Sequence, residues 1–316
     1  MASLTSMTKR YHHAPYPAIS PSNPKNNQAG RTVAITGGVQ GIGYATARAY
    51  IQAEAAGVIL LGRTSQTLQD AAASLQKIAK STKVTWHVCD INIDASIEKF
   101  WDYVASENIY VDILVLNAAS AAHGPIVPML SKLPLLREMF YANVCGNALM
   151  AARFLDQKKE STQAQTLVNI STGSIHCNPA PHQALYSSSK AAFTALLQHV
   201  ADEVESSTCQ IVSIHPGVVY TEGMKRESHP DLAKVAVFDE VDLPAAFSVW
   251  ASTPAASFLH GRFVWAQWDV EELSGRKQDF EDQGFLKVGL QGTESLDVAS
   301  LFDQIRKKDA EANGTS

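Results

Sequence analysis

Two groups of residues in this chain have the types and spacing to do chemistry together. The first is Tyr186-Ser187-Ser188-Ser189-Lys190. Among nine tyrosines, only Tyr186 has a lysine four residues on, a spacing that puts both side chains on one face of a helix. A free tyrosine, with a pKa of about 10, is a poor proton donor or acceptor at neutral pH. An ammonium beside it stabilises the phenolate and moves the group toward the range of a useful general acid or base. The second group is Val33-Ala34-Ile35-Thr36-Gly37-Gly38-Val39-Gln40-Gly41-Ile42-Gly43. An apolar run ends in glycines and a helical pattern begins within it, as when a buried parallel strand turns tightly into a helix. Glycines let the backbone approach a ligand closely, and the helix N-terminus offers unpaired N–H groups to an anion such as a pyrophosphate. The spacing is Gly-x3-Gly-x-Gly, not the Gly-x-Gly-x-x-Gly of the common dinucleotide fingerprint. A strand-to-helix turn without a ligand is the plainer alternative.

Groups so far apart in the chain need a scaffold that returns both to one edge. Alternating apolar runs and helical periodicities supply it. Strands are expected at Val33 to Thr36, Val58 to Leu61, Val84 to Val88, Val111 to Leu116, Thr166 to Ile170, Cys209 to Ile214 and Gly261 to Ala266. Helical spacing follows most of them. It runs from the glycine turn to about Ala55, through Leu68 to Ile78, Ile97 to Val104, and Leu133 to Phe154. It appears again from Tyr186 onward and from Pro244 to Trp250. The predicted fold is α/β: a Rossmann-type, doubly wound parallel sheet of seven strands with helices on both faces, in a single domain. That domain is expected over residues 30–274, behind an irregular arm at 1–29 that is disordered or lies on the surface. Residues 275–316 form a C-terminal extension with one amphipathic stretch, Val298, Leu301, Phe302 and Ile305. The adjacent His12 and His13 are expected to be solvent-exposed.

The second strand ends in Gly62-Arg63-Thr64, where NAD-binding folds carry an acidic residue for the adenosine ribose. Without a carboxylate there is no repulsion of a 2′-phosphate, and Arg63 can pair with one bidentately. NADP(H) is therefore favoured over NAD(H).

Thr36-Gly37-x3-Gly41-x-Gly43 followed by Tyr186-x3-Lys190 resembles the short-chain dehydrogenase/reductase family, over roughly residues 31–270. The resemblance implies that Thr36, Gly37, Gly41, Ile42 and Gly43 hold the cofactor. It also implies that Asp90, with Ile91, contacts adenine, although a turn-initiating Asp explains that position equally well. Asn117 falls on the second Asn of the family's Asn-Asn-Ala-Gly, steadying the sheet beside the cofactor with Ala118. Ala119 replaces the family's glycine, which a negative φ would tolerate. Tyr186 would donate a proton to a carbonyl oxygen, and Lys190 would lower the tyrosine pKa and hold the nicotinamide ribose. Asn143 would keep a proton-relay water. A hydroxyl at the end of the fifth strand would orient the carbonyl. Counting back from Tyr186 lands on Gly173, and one inserted residue puts Thr172 there, with Ser171 and Ser174 as alternatives. Pro216, Gly217, Val218, Val219 and Thr221 would line the cofactor, Val218 and Thr221 at the carboxamide. The Glu222 to Asp242 segment would close over substrate. The Tyr11 to Pro21 arm and the Gly261 to Val270 stretch are similar to a subgroup found in filamentous-fungal secondary metabolism.

The bulk numbers exclude several classes. Hydrophobic residues make up 46% and charged residues 18%, an ordinary globular balance with ample core. A net charge of −5 argues against nucleic acid as a partner. Cys89, Cys145, Cys177 and Cys209 are far apart, without a Cys-x-x-Cys pair, and no His-Glu-x-x-His occurs. Neither a disulfide framework nor a metal site is expected. No apolar run is long enough to span a bilayer and no signal-peptide core opens the chain, so a cytoplasmic protein without a membrane partner is expected. The expected activity is NADP(H)-dependent interconversion of a ketone or aldehyde and an alcohol, in the reducing direction, on a small or secondary metabolite. A homodimer or homotetramer is expected from the resemblance. Alternatives on the same fold are imine reduction, isomerisation or cyclisation with bound cofactor, and a non-catalytic NADP(H)-binding redox sensor.

Overall fold

A parallel sheet covered on both faces has no polar side, so its strands read as uninterrupted apolar runs. The computed structural model, which describes residues 7–158, 163–177, 180–222, 224, 237–289, 304 and 307, has seven such strands. They are β1 (Thr32–Thr36), β2 (Gly57–Gly62), β3 (Lys83–Val88), β4 (Ile113–Leu116), β5 (Gln165–Ile170), β6 (Cys209–His215) and β7 (Arg262–Trp265). All pair in parallel, in the order β3-β2-β1-β4-β5-β6-β7. The winding reverses between β1 and β4, which opens a crevice at their carboxyl ends.

Helices α1 (Gly41–Gln52), α2 (Ser65–Gln76) and α3 (Asp94–Ser106) follow the first three strands. After β4 come α4 (Ile126–Leu130), α5 (Leu133–Phe140) and α6 (Asn147–Leu155); α7 (Ala184–Glu203), α8 (Asp242–Ala251) and α9 (Val270–Ser274) complete the described helices. Successive residues of β1 divide between two cores. Val33 and Ile35 join Tyr50 of α1, Leu68 of α2 and Phe247 of α8 on one face. Ala34 joins Phe100 of α3, Phe154 of α6 and Phe193 of α7 on the other. Every residue of α8 from Leu243 to Ala251 is buried, as expected of a helix that is apolar nearly all round.

One predicted element divides. The helix expected from Leu133 to Phe154 is α5, then a π-helical segment at Tyr141–Gly146, then α6. The apolar periodicity carries through because a π turn widens the helix locally without ending it. Element boundaries also move by a few residues. The fourth strand starts at Ile113 instead of Val111, whose N–H is taken by Gln157 Oε1 at 2.9 Å. The first helix stops at Gln52, short of Ala55, where Glu54 adopts a φ of 63°. Helix α4 carries no periodicity that would have announced it.

The arm from residue 7 is irregular but packed. Ile19 and Gln28 are buried, Tyr11 forms an antiparallel bridge with Trp268, and His12 N donates to Gln267 O at 2.8 Å. The expectation of two exposed histidines fails for His12. Its ring stacks on Tyr16 at 3.6 Å and its Nε2 lies 2.9 Å from the buried Asp269 carboxylate. The arm and the Gly261 to Val270 stretch, two features read separately in the sequence, are in contact.

At the other end of the chain, Arg262 of β7 holds the extension. Its guanidinium donates to the carbonyls of Phe280, Asp282, Gln283 and Phe285 at 2.7–3.1 Å. The amphipathic stretch at Val298 to Ile305 lies outside the described residues. Replacing Arg262 with Ala strands these carbonyls in a partly buried setting. The expected loss is about 2–4 kcal/mol of unfolding free energy, measured by urea denaturation with an unchanged m-value.

Candidate active site

The carboxyl ends of β1 and β4 are locked together by side chains. Thr36 Oγ1 accepts the N–H groups of Asn117 and Ala118, both at 2.9 Å. Asn117 Nδ2 donates back to the carbonyls of Thr36 at 3.0 Å and Gly37 at 3.2 Å. This clasp leaves no room on Gly43: a Cβ there would lie 2.2 Å from Gly37 O and 2.6 Å from Asn117 Nδ2. Gly37 and Gly41 take φ of 65° and 54°, a region that side-chain-bearing residues avoid. Helix α1 then starts with no side-chain cap from Gln40, so its first N–H groups remain for an anion. Thr221, after β6, stands against Gly41. The residues of this turn therefore fit a dinucleotide pyrophosphate. Ala119 is not among the described residues with positive φ, so its methyl is accommodated.

Toward the β3 edge, Arg63 is exposed immediately after β2. Asp90, after β3, accepts the N–H of Asn92 at 2.9 Å in an Asx turn, and Ile91 beside it is buried. The turn-forming reading of Asp90 is thus realised in its geometry.

Toward the β5 edge lie the candidate proton-handling residues. Lys190, in the first turns of α7, is 1% exposed and its Nζ donates to Ile170 O at 2.5 Å. Burial pushes its pKa down to about 8. Asn143 sits in the π-helical segment, fully buried. Its Oδ1 accepts from Ser120 N at 2.8 Å, and its Nδ2 donates to Ser120 O at 2.8 Å and Ser189 Oγ at 2.9 Å. Ser189 Oγ in turn donates to Tyr186 O at 2.9 Å. The amide is therefore engaged in tying the loop after β4 to the helix that carries Tyr186.

The three candidate hydroxyls separate. Ser171 is buried and shares a hydrogen bond with Thr194 of α7 at 2.9 Å, which turns it into the core. Thr172 and Ser174 are half-buried and 3.1 Å apart, and Ser187, next to Tyr186, donates to Ser174 Oγ at 2.8 Å. A run of hydroxyls thus leads from the end of β5 to the start of α7.

Several contributors escaped the sequence reading. His123 meets the Tyr186 ring edge-on at 5.5 Å, and its pKa is lowered by burial. Met129, Met139 and Leu185 form the apolar wall beside that tyrosine. His215 Nδ1 accepts the Gly173 N–H at 2.9 Å. Burial, with a smaller contribution from His176, pushes the His215 pKa down to about 3, so the ring stays a neutral acceptor. Its place directly before Pro216-Gly217 was the one available signal.

The predicted site residues thus lie in a row along the carboxyl edge, from Asp90 after β3 to Thr221 after β6. A separate cavity of about 500 Å³, lined in part by Trp101, Tyr110 and Arg153, opens near the amino end of β4 instead.

Comparison with known proteins agrees with this architecture. The short chain dehydrogenase family profile matches residues 31–232. A short chain dehydrogenase/reductase, nsrO, from Aspergillus novofumigatus is 31% identical over 288 residues, covering 90% of this chain and 96% of that protein. A short chain dehydrogenase/reductase from Claviceps purpurea is 32% identical, covering 91% and 95% respectively. Among solved structures, a short chain dehydrogenase from Burkholderia cenocepacia in complex with NADP superposes with a TM-score of 0.68. It is 18% identical and covers 78% of this chain and 99% of its own. Fold, site order and sequence agree: the chain belongs to the short-chain dehydrogenase/reductase family of oxidoreductases.

Proposed function

We propose that the protein reduces a ketone or aldehyde to an alcohol with NADPH, the substrate being a small or secondary metabolite. The observation that carries this reading is the buried Lys190, one helical turn after Tyr186 and anchored to the end of β5. A lysine is rarely buried without a reason in its charge. Beneath a tyrosine at a cofactor crevice, the reason is support of the phenolate. When bound, the reduced nicotinamide supplies the hydride.

The chain's own residues do the rest. Thr36, Gly37, Gly41, Ile42 and Gly43 hold the pyrophosphate, Asp90 and Ile91 flank the adenine, and Asn117 with Ala118 backs the ribose side. Pro216, Gly217, Val218, Val219 and Thr221 line the nicotinamide end. Tyr186 delivers a proton from its hydroxyl to the carbonyl oxygen, and Lys190 lowers the tyrosine pKa and holds the ribose. Thr172 orients the carbonyl, because the hydroxyl of Ser171 is engaged by Thr194. Asn143 acts as a positioning residue through Ser120 and Ser189. The apolar wall of Met129, Met139 and Leu185 beside Tyr186 favours a substrate with an apolar body.

Replacing Tyr186 with Phe keeps the ring and removes the proton. Coenzyme binding is expected to stay within about twofold while turnover of a carbonyl panel falls roughly 10²–10⁴-fold. Unchanged turnover would remove the mechanism. Parallel titrations test the cofactor. NADPH should bind more tightly than NADH, and Arg63→Ala should weaken NADPH by about tenfold while leaving NADH unmoved, since a charge-assisted contact to phosphate is lost. Equal binding of the two coenzymes refutes the role of Arg63. The pH profile follows from Lys190, whose pKa burial lowers to about 8. Below that pH the ammonium is charged and supports the phenolate; above it the proton leaves and support is lost. Because kcat/KM reports groups of the free enzyme, it should fall as pH rises through about 8.

A further inference from the structure

Asp239 lies outside the stretch matched by the family profile, and it is 6% exposed. Its carboxylate meets three donors from three parts of the chain. Oδ2 accepts the Val218 N–H at 2.7 Å and Gln267 Nε2 at 2.9 Å. Oδ1 lies 2.6 Å from His13 Nδ1 in the N-terminal arm. The backbones run together as well. Asp239 N donates to Val218 O at 2.9 Å, Val219 and Asp239 form a parallel bridge, and Glu240 N donates to His13 O at 2.8 Å.

The approach of this carboxylate dictates the residue opposite. Gly217 has a φ of 94°, and a Cβ there would lie 2.3 Å from Asp239 Oδ2 and 2.7 Å from Gln267 Nε2. The loop after β6 is therefore shaped around Asp239, and four residues after Gly217 the Thr221 Cγ2 reaches Gly41 at the glycine turn. A continuous set of contacts runs from the arm, through Asp239, to the loop that closes the crevice.

We propose that Asp239, held by His13, is a positioning residue for the nicotinamide end of the cofactor site, acting through the Gly217–Val218 turn. This rests on the assignment of the loop after β6 to the nicotinamide. The arm, by this account, is part of the coenzyme site's support without touching the coenzyme. The neighbouring contact of His12 with Asp269 serves the arm's attachment only, because Asp269 caps α9 through the Glu271 and Glu272 N–H groups instead of reaching the loop.

The test uses the full-length protein and two probes, NADPH and adenosine 2′,5′-bisphosphate, which lacks the nicotinamide half. Asp239→Ala and His13→Ala are expected to weaken NADPH by about tenfold and threefold, and to diminish the enhancement of nicotinamide fluorescence on binding. Both should leave adenosine 2′,5′-bisphosphate affinity within about twofold. Asp239→Asn should restore NADPH binding, because its Oδ1 can accept from Val218 and Gln267 while its Nδ2 donates to His13 Nδ1 in the tautomer that leaves that nitrogen without a proton. His12→Ala, which removes the ring's contacts with Asp269 and Tyr16 and leaves Asp239 untouched, should lower Tm without moving NADPH affinity. Equal weakening of both probes, or an Asp239→Ala protein that binds NADPH like the parent, overturns the proposal alone. A parent protein that binds neither probe overturns the cofactor reading and the proposal with it. His13 is largely exposed, so its variant is expected to fold even where Asp239→Ala does not.

Discussion

Where β1 and β4 diverge, the carbonyls of Thr36 and Gly37 point into the crevice, and the Asn117 amide donates to both. Buried carbonyls left unpaired are costly, and a second strand cannot serve them at a switch point. The side chain of Asn117 replaces that strand, and Thr36 returns the arrangement by accepting two N–H groups of the segment after β4. Everything at the crevice inherits this constraint. The glycine turn must pass close to the amide, which fixes Gly43. Helix α1 must start where its N–H groups face outward, and Thr221 must settle on Gly41 to cover it. One reciprocal set of hydrogen bonds thus sets both the floor and the mouth of the crevice.

The half of the crevice around Tyr186 is built differently. Its residues come from a broken helix, a strand end and a helix start, and they are joined by serines. Asn143 reaches Ser120 and Ser189, and Ser189 reaches the carbonyl of Tyr186. Ser187, Ser174 and Thr172 form a second run. Short hydroxyl side chains suit this place because each both donates and accepts. The buried lysine is anchored separately, by the carbonyl of Ile170.

Much of the fold was legible because it is written in long-range regularities. Seven apolar runs alternating with helical periods specify a doubly wound sheet, and their order places glycine turn, Asn117, Tyr186 and Thr221 on one edge. What stayed illegible was single-residue geometry. A π turn inserts no new residue type, so nothing in Leu133 to Phe154 marked the break that carries Asn143. Ser171, Thr172 and Ser174 are chemically alike, and only the direction of the backbone leaving β5 separates the buried hydroxyl that meets Thr194 from the two that pair with each other beside Ser187. The arm's docking partners were hidden for a related reason. Proline-rich, aperiodic sequence signals the absence of a helix or strand, but packing on a distant surface leaves no periodicity to detect. His12 and Asp269 are separated by 257 positions, and a local pattern cannot report such a partner.

That separation has a consequence for how the chain is made. The arm leaves the ribosome before the strands it packs on, and its anchors come 226 positions later at Asp239 and 257 positions later at Asp269. At roughly 5–20 residues per second, the arm waits on the order of ten to fifty seconds for a surface to bind. Throughout that interval the central strands β1 to β5 can assemble without it, so the arm's docking is a late event that seals a finished sheet. The loop-closure entropy of so long a span is met once, after the rest of the core has already brought the two ends together. A protein ordered this way adds the arm to its sheet late, although the arm is synthesised before every strand of that sheet.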